Sequence, residues 1–254
     1  MRISHVTSAI ILRTWPFGES DRIVSVLTES HGKITGIAKG AKRSRKRFAN
    51  SLEPFSLVML RFQDRPHSSL AFILACELQS GYKRLVTSLE KIAYASYCAE
   101  ITEGLIGERE ENRLVFDHLK EGLVYLEERE ASLTFLTAFE LKLLQLAGYQ
   151  LLFDSCRRCG LDRLRSATAW QFSLRDGGVL CASCARLRKE TFPLSSRAVE
   201  LLALIQNQRE TQLVNDCLVP AVLREIRSVL LGYLQWQLNK EIRSASFLHA
   251  FASL

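Results

Sequence analysis

Four cysteines fall into two identical short spacings, Cys156-x2-Cys159 and Cys181-x2-Cys184, with 21 residues between the pairs. Each spacing lets one tight turn aim both sulfurs the same way, and two such turns can close a tetrahedron around Zn²⁺. Four protein ligands fill the coordination sphere, so a zinc held this way is structural rather than catalytic. The intervening segment reads as a hairpin: Trp170 to Leu174, a turn at Arg175-Asp176-Gly177-Gly178, then Val179-Leu180. Both glycines are suited to the positive φ that such a turn needs. Four thiolates leave a charge near −2 around the ion, and Arg157, Arg158, Arg163, Arg186 and Arg188 are close enough in sequence to offset it. Two redox Cys-x-x-Cys pairs are the competing reading, but a framed hairpin fits a zinc ribbon better. Cys76, Cys98 and Cys217 have no partner at a useful spacing and read as small core residues.

The second chemical feature is a run of cations. Residues 39 to 47 read Lys-Gly-Ala-Lys-Arg-Ser-Arg-Lys-Arg, with six positive charges and no negative one. Cations this dense repel one another unless solvent or a polyanion relieves them. A nucleic-acid backbone does so with a gain from counterion release. The same run on its own also fits a solvated loop. Lys39, Lys42, Arg43, Arg45, Lys46 and Arg47 are therefore the candidate phosphate contacts, with Arg13 and Lys33 as an extension. Trp15 and Phe48 are candidate stacking partners for bases, and Phe62 and Phe72 weaker ones.

Other chemistries lack their residues. Gly32, Gly36 and Gly40 make neither a dinucleotide fingerprint nor a phosphate loop. No nucleophile elbow, zinc-protease helix or carboxylate pair is present. His5, His31, His67, His118 and His249 are scattered and read as surface or turn residues, and Glu19 and Asp21 as a solvated hairpin. No enzymatic activity is expected.

The elements that must carry these residues follow from periodicity. Up to residue 80 the chain alternates as strands do, in five short segments punctuated by Gly18, Gly32 and the stretch 64–67. Phe55 to Phe62 reads as a strand covered on both faces, and Leu70, Phe72, Leu74, Cys76 and Leu78 as one face of the fifth. Five strands in this length fit a closed barrel of the OB type, a fold that binds oligonucleotides. Beyond Gly81 the period becomes helical. Tyr94, Tyr97, Ile101 and Leu105 form one stripe; Phe116, Leu119, Leu123 and Leu126 a second; Leu136, Leu143 and Ala147 a third, ended by Gly148. Val222, Ile226, Val229, Tyr233 and Trp236 form a long stripe near the C-terminus, and Pro193-Leu194-Ser195 introduces another helix. The expected architecture is α+β: an N-terminal five-stranded OB-fold barrel at 1–80, then a helical domain at 81–254 carrying a zinc-ribbon-like insert at 154–190.

The net charge of +7 is uneven. Residues 1–80 carry +6, 81–155 carry −5 and 156–192 carry +5. Two basic segments flank an acidic one, which suits nucleic-acid contacts at the ends and protein contacts in the middle. No apolar run is long enough to span a bilayer, and no secretory segment opens the chain. Seven cysteines, an odd number, do not suggest a disulfide framework. A cytoplasmic location without membrane contact is expected.

A resemblance joins these features. Gly18-Glu19-Ser20-Asp21 is followed by Gly32-Lys33, by Lys39-Gly40-Ala41-Lys42-Arg43, and then by Arg47 and Leu52-Glu53-Pro54-Phe55. This order closely resembles the bacterial RecO recombination mediator family. It continues through the helices, the cysteine insert and Arg243-Ser244 to Phe247-Leu248, and so covers the whole chain. The resemblance implies binding of single- and double-stranded DNA, annealing of complementary strands, and help in loading a RecA-type recombinase on coated DNA. It implies RecR and the C-terminal tail of single-strand-binding protein as partners, in a bacterial, nucleoid-associated setting. Two other readings of the same residues are an RNA-binding or transcription-associated OB and zinc-ribbon protein, and a scaffold whose basic loop is solvated or meets an acidic protein.

Overall fold

The computed structural model describes residues 3–44, 46–65, 68–165, 169–207 and 220–251. The chain divides into two compact units, Met1–Glu130 and Ala131–Leu254.

The first unit opens with strands β1 (Ser4–Phe17), β2 (Asp21–Thr28), β3 (Lys33–Ala38), β4 (Leu57–Gln63) and β5 (Ala71–Ser80). They close into a barrel in the order β1-β2-β3-β5-β4, with β1 also pairing β4. Every contact is antiparallel except β3 with β5. This is the OB arrangement that the sequence predicts. The long β1 can serve two neighbours because a bulge between Ile11 and Arg13 bends it around the barrel. Ala9, Ile11, Val24, Val26, Ile34, Val58, Leu60, Phe62 and Ile73 fill the interior.

Two strands depart from the expected faces. β4 is not covered on both sides: Met59 is half-buried and Arg61 exposed, in alternation with buried Val58, Leu60 and Phe62. In β5 the core face belongs to Ala71 and Ile73 rather than to Phe72 and Leu74. A register shift opposite Arg61 and Phe62 then turns Cys76 inward. One extra residue reverses the phase of every side chain beyond it. Burial pushes the Cys76 thiol up to about 12, in keeping with a core cysteine.

Helices α1 (Leu89–Leu105) and α2 (Arg113–Glu128) complete this unit. Ser88 and Asn112 cap them by accepting the backbone N–H of Lys91 and Val115. Tyr94, Tyr97 and Ile101 are buried on α1, and Phe116, Leu119, Leu123 and Leu126 on α2. The segment between the helices is stitched to β3: the Arg109 N–H donates to the Lys33 carbonyl at 2.9 Å, and the Thr35 hydroxyl to Glu108 at 2.8 Å. Gly32 permits this approach, since a Cβ there would stand 2.4 Å from the Glu110 carbonyl oxygen. The change of periodicity at Gly81 thus marks a change of secondary structure. The boundary between compact units falls later, after α2.

In the second unit, α3 (Leu133–Leu146) precedes a three-stranded sheet of β6 (Trp170–Ser173), β7 (Gly178–Cys181) and β8 (Thr191–Leu194), ordered β7-β6-β8. The four-residue α4 (Ala182–Ala185) follows β7, and α5 (Ser196–Asn207), α6 (Pro220–Leu238) and α7 (Arg243–His249) follow the sheet. Gly148, at φ +85°, ends α3 as its position suggests. Helices α3, α5 and α6 pack together around a fully buried ion pair, Arg227 on α6 with Glu140 on α3 at 2.5 Å. β8 is the strand that the sequence reading missed. Pro193 lies inside it, opposite Gln171, on the outer edge of the sheet where a missing N–H costs nothing.

Candidate metal centre and nucleic-acid interface

The four sulfurs of Cys156, Cys159, Cys181 and Cys184 all lie within 4.8 Å of one another. Cys159 and Cys181 Sγ are 3.8 Å apart. A tetrahedron with metal–sulfur bonds of about 2.3 Å, the value for Zn²⁺, has an edge of about 3.8 Å. The donor set therefore fits one metal ion. The first pair sits on a turn closed by the Gly160 N–H donating to the Cys156 carbonyl at 2.9 Å, with Gly160 at φ +71°. The second pair brackets the start of α4. The segment on either side of Cys156 is held to β7 by Val179 N–H to Leu152 carbonyl (3.0 Å) and Arg157 N–H to Val179 carbonyl (2.9 Å).

The β6–β7 turn is the predicted hairpin, with one refinement. Gly177 has the positive φ, +63°, whereas Gly178 is there for space: a Cβ on it would stand 2.8 Å from the Leu152 carbonyl oxygen. Burial pushes the Cys156 thiol up, but N–H groups of Cys159, Cys181 and Arg158 outweigh it and bring the thiol down to about 6. Cys184 is pushed up to about 12 by desolvation and by its neighbouring sulfurs. Ionising one sulfur thus opposes ionising the next, and a bound cation removes that opposition. Of the nearby arginines, two serve carboxylates instead: Arg188 pairs with Asp176 at 2.8 Å and Arg163 with Asp154 at 3.8 Å. Burial raises Asp176, but Ser173 and Arg188 hold its carboxyl below the usual range.

The cationic run leaves the end of β3 and turns through a short 3₁₀ helix, Ala41–Arg43. It is pinned to the β1–β2 turn at three points. Asp21 accepts the Gly40 N–H at 2.8 Å, the Lys42 N–H donates to the Ser20 carbonyl at 2.9 Å, and the Lys42 ammonium donates to the Gly18 carbonyl at 2.8 Å. Arg47 folds back, donating to the Lys39 carbonyl at 2.9 Å with its guanidinium over the Phe48 ring. Phe48 itself is only 4% exposed and plugs the barrel with Leu52, which removes it from the stacking candidates; Phe62 is wholly interior. Lys39, Lys42, Arg43, Lys46 and Arg47 are exposed. None of these five makes an ion pair among the described residues. Arg45 lies outside the described residues, as do His67 and Cys217. Arg13 is exposed on β1, with its guanidinium 5.5 Å from the Trp15 ring centroid.

Lys33 stands apart from this group. Its ammonium donates to the carbonyls of Glu103 (2.6 Å) and Ile106 (2.5 Å), closing the C-terminus of α1. A cation there meets the negative end of the helix.

Comparison with known proteins settles the family. The sequence model described as "Recombination protein O N terminal" matches residues 1–82, and that described as "Recombination protein O C terminal" matches residues 86–246. The chain belongs to the RecO family. A DNA repair protein RecO of Anaeromyxobacter sp. (strain K) is 32% identical over 247 residues, covering 97% of this chain and 96% of that protein. One from Syntrophus aciditrophicus is 31% identical over 250 residues, covering 97% and 96%. One from Syntrophobacter fumaroxidans is 40% identical over 175 residues, 69% of each chain. This RecO-family chain gathers its four cysteines at one point, and it ties the start of its basic run to the β1–β2 turn. The reading missed Asp21 as the anchor of that run. The signal was present: an acidic residue directly after a Gly-containing turn. No helix among the described residues is long and apolar enough to cross a membrane.

Proposed function

We propose that this RecO-family chain is a non-enzymatic, DNA-binding recombination mediator. It binds single- and double-stranded DNA, brings complementary strands together, and assists a RecA-type recombinase on strands coated by single-strand-binding protein. RecR and the C-terminal tail of single-strand-binding protein are its proposed partners, in the bacterial cytoplasm near the nucleoid. The observation that carries this reading is the pinned basic segment on an OB barrel, with five exposed cations that make no ion pair among the described residues.

Lys39, Lys42, Arg43, Lys46 and Arg47, with Arg45 and Arg13, supply a field that follows the sugar–phosphate backbone and reads no base. Lys33 is left out of this surface because two backbone carbonyls already hold its ammonium. Annealing needs no bond chemistry: neutralising the mutual repulsion of two strands lets them meet and pair. We assign Zn²⁺ to the four cysteines as a structural ion, one per chain, that organises the ribbon.

The test is anisotropy of labelled single-stranded DNA, duplex DNA and single-stranded RNA against protein at several salt concentrations. Six phosphate contacts on a single strand give a slope of about −4 in log K against log salt. Reversing Arg43 and Arg45 to Glu should weaken binding to all sequences alike and flatten that slope. A preference for RNA would favour the RNA-binding reading, and absence of binding at low salt the scaffold reading.

A further inference from the structure

The outer surface of the barrel carries an apolar row that the basic loop does not explain. Trp15 is registered with Ile23, Ile23 with Ile37, and Ile37 with Phe72, so these four residues cross β1, β2, β3 and β5 on one face. Residues directly opposite in a ladder share a face. It is not the core face: Thr14 pairs with core residue Val24, which leaves Arg13, Trp15 and Phe17 on the other side. Ile23 and Ile37 in the middle of the row are buried, and Trp15 and Phe72 at its two ends are half-buried, so the ends are what the row offers to a ligand. Phe17, two residues beyond Trp15, is 50% exposed.

The strand 2–3 face and the loop between strands 1 and 2 are where OB barrels meet oligonucleotides. Here the apolar row and the cations meet at one corner. Phe17 ends β1, and the next residue, Gly18, holds the Lys42 ammonium. A Cβ on Gly18 would meet nothing within 4 Å, so the corner is open. Arg13 adds a cation above the Trp15 ring.

We propose that Trp15 and Phe17 form a stacking platform for unpaired nucleobases, next to the basic loop, and that this platform selects single strands over duplex. The inference rests on the DNA-binding reading and adds to it a contact that phosphate attraction cannot supply. A duplex keeps its bases stacked on one another and offers only phosphates to the loop. A single strand offers both phosphates and ring faces, and every base has such a face. Arg13 sits where it can meet either a phosphate or the edge of a stacked base.

The experiment compares wild type with Phe17→Leu and Trp15→Leu on a single-stranded oligonucleotide and on a duplex of the same length. Each variant should bind the single strand about tenfold more weakly, the scale of one lost base stack. Duplex affinity and the salt slope should stay at wild-type values. Phe17→Tyr and Trp15→Phe, which keep a ring, should keep the preference. Phe17 is exposed, so its variant reports even if Trp15→Leu disturbs the barrel. Folded variants with an unchanged ratio of single-strand to duplex affinity would overturn the platform and leave the basic-loop reading standing. Wild-type protein that binds neither DNA would overturn both.

Discussion

The Asp21 carboxylate accepts the Gly40 backbone N–H at 2.8 Å, and this one bond ties the first hairpin of the barrel to the start of the cationic segment. The two residues are 19 positions apart, and Gly40 is in the left-handed region at φ +67°. The bond is the leading reason that the Asp21 carboxyl lies below its ordinary value. Asp21→Ala should speed hydrogen exchange at the Gly40 amide and loosen the loop, whereas Asp21→Asn keeps an acceptor and should change it less. Because the folded value is depressed, the carboxylate's contribution is complete above the ordinary value of 3.8 and is lost as pH falls through the folded value. Amide exchange at Gly40 measured across that range checks the sign. Gly40→Ala should destabilise by about 1 kcal/mol through the left-handed backbone alone.

Lys33 and Arg43 should separate stability from binding. Lys33→Ala removes two hydrogen bonds at the end of α1 and should lower stability by about 1–2 kcal/mol with the DNA salt slope unchanged. Arg43→Glu should do the reverse, flattening the slope at constant stability, since its side chain is exposed and makes no ion pair among the described residues. Urea melts and salt titrations on both variants check the pair.

The ribbon should depend on its ion. Metal binding contributes on the order of 10 kcal/mol to folding such a module. Cys181→Ser should abolish bound zinc and open residues 154–190 to protease, while the first unit, 1–130, keeps its melting behaviour. Zinc content by elemental analysis and limited proteolysis read the outcome. Full zinc content with normal protease resistance in the variant would refute the assignment.

Acid should weaken the other end of the barrel through His31. His5 and His31 meet edge to face at 4.8 Å, and both rings pack against Phe62. Burial first, then His5 and Arg109, hold the His31 value below 6.5, against opposing pulls from Glu111 and Asp64. With a depressed folded value, stability is complete above 6.5 and falls as pH drops below it, because the unfolded chain takes up the proton more readily. Urea midpoints between pH 7.5 and 5.5 should decline for wild type and less for His31→Gln.

Much of this was legible in the sequence because short-range geometry encodes it. A Cys-x2-Cys spacing aims two sulfurs within one turn, so two of them predict a site wherever the chain brings them. Alternation placed all five strands, and the 3.6-residue period placed Tyr94, Tyr97 and Ile101 on one buried face. The charge of residues 39–47 is a matter of composition. Tertiary structure alone decided the rest. The β5 bulge reversed which of Phe72 and Ile73 faces the core. Packing of α1 against the barrel brought Lys33 to carbonyls 70 and 73 residues away, and so turned a candidate phosphate contact into a helix cap. Barrel closure buried Phe48 under its loop and joined Asp21 to Gly40. Local pattern fixes what a residue's few neighbours impose on the backbone. Which distant carbonyl or carboxylate a side chain meets is set only when the strands pair.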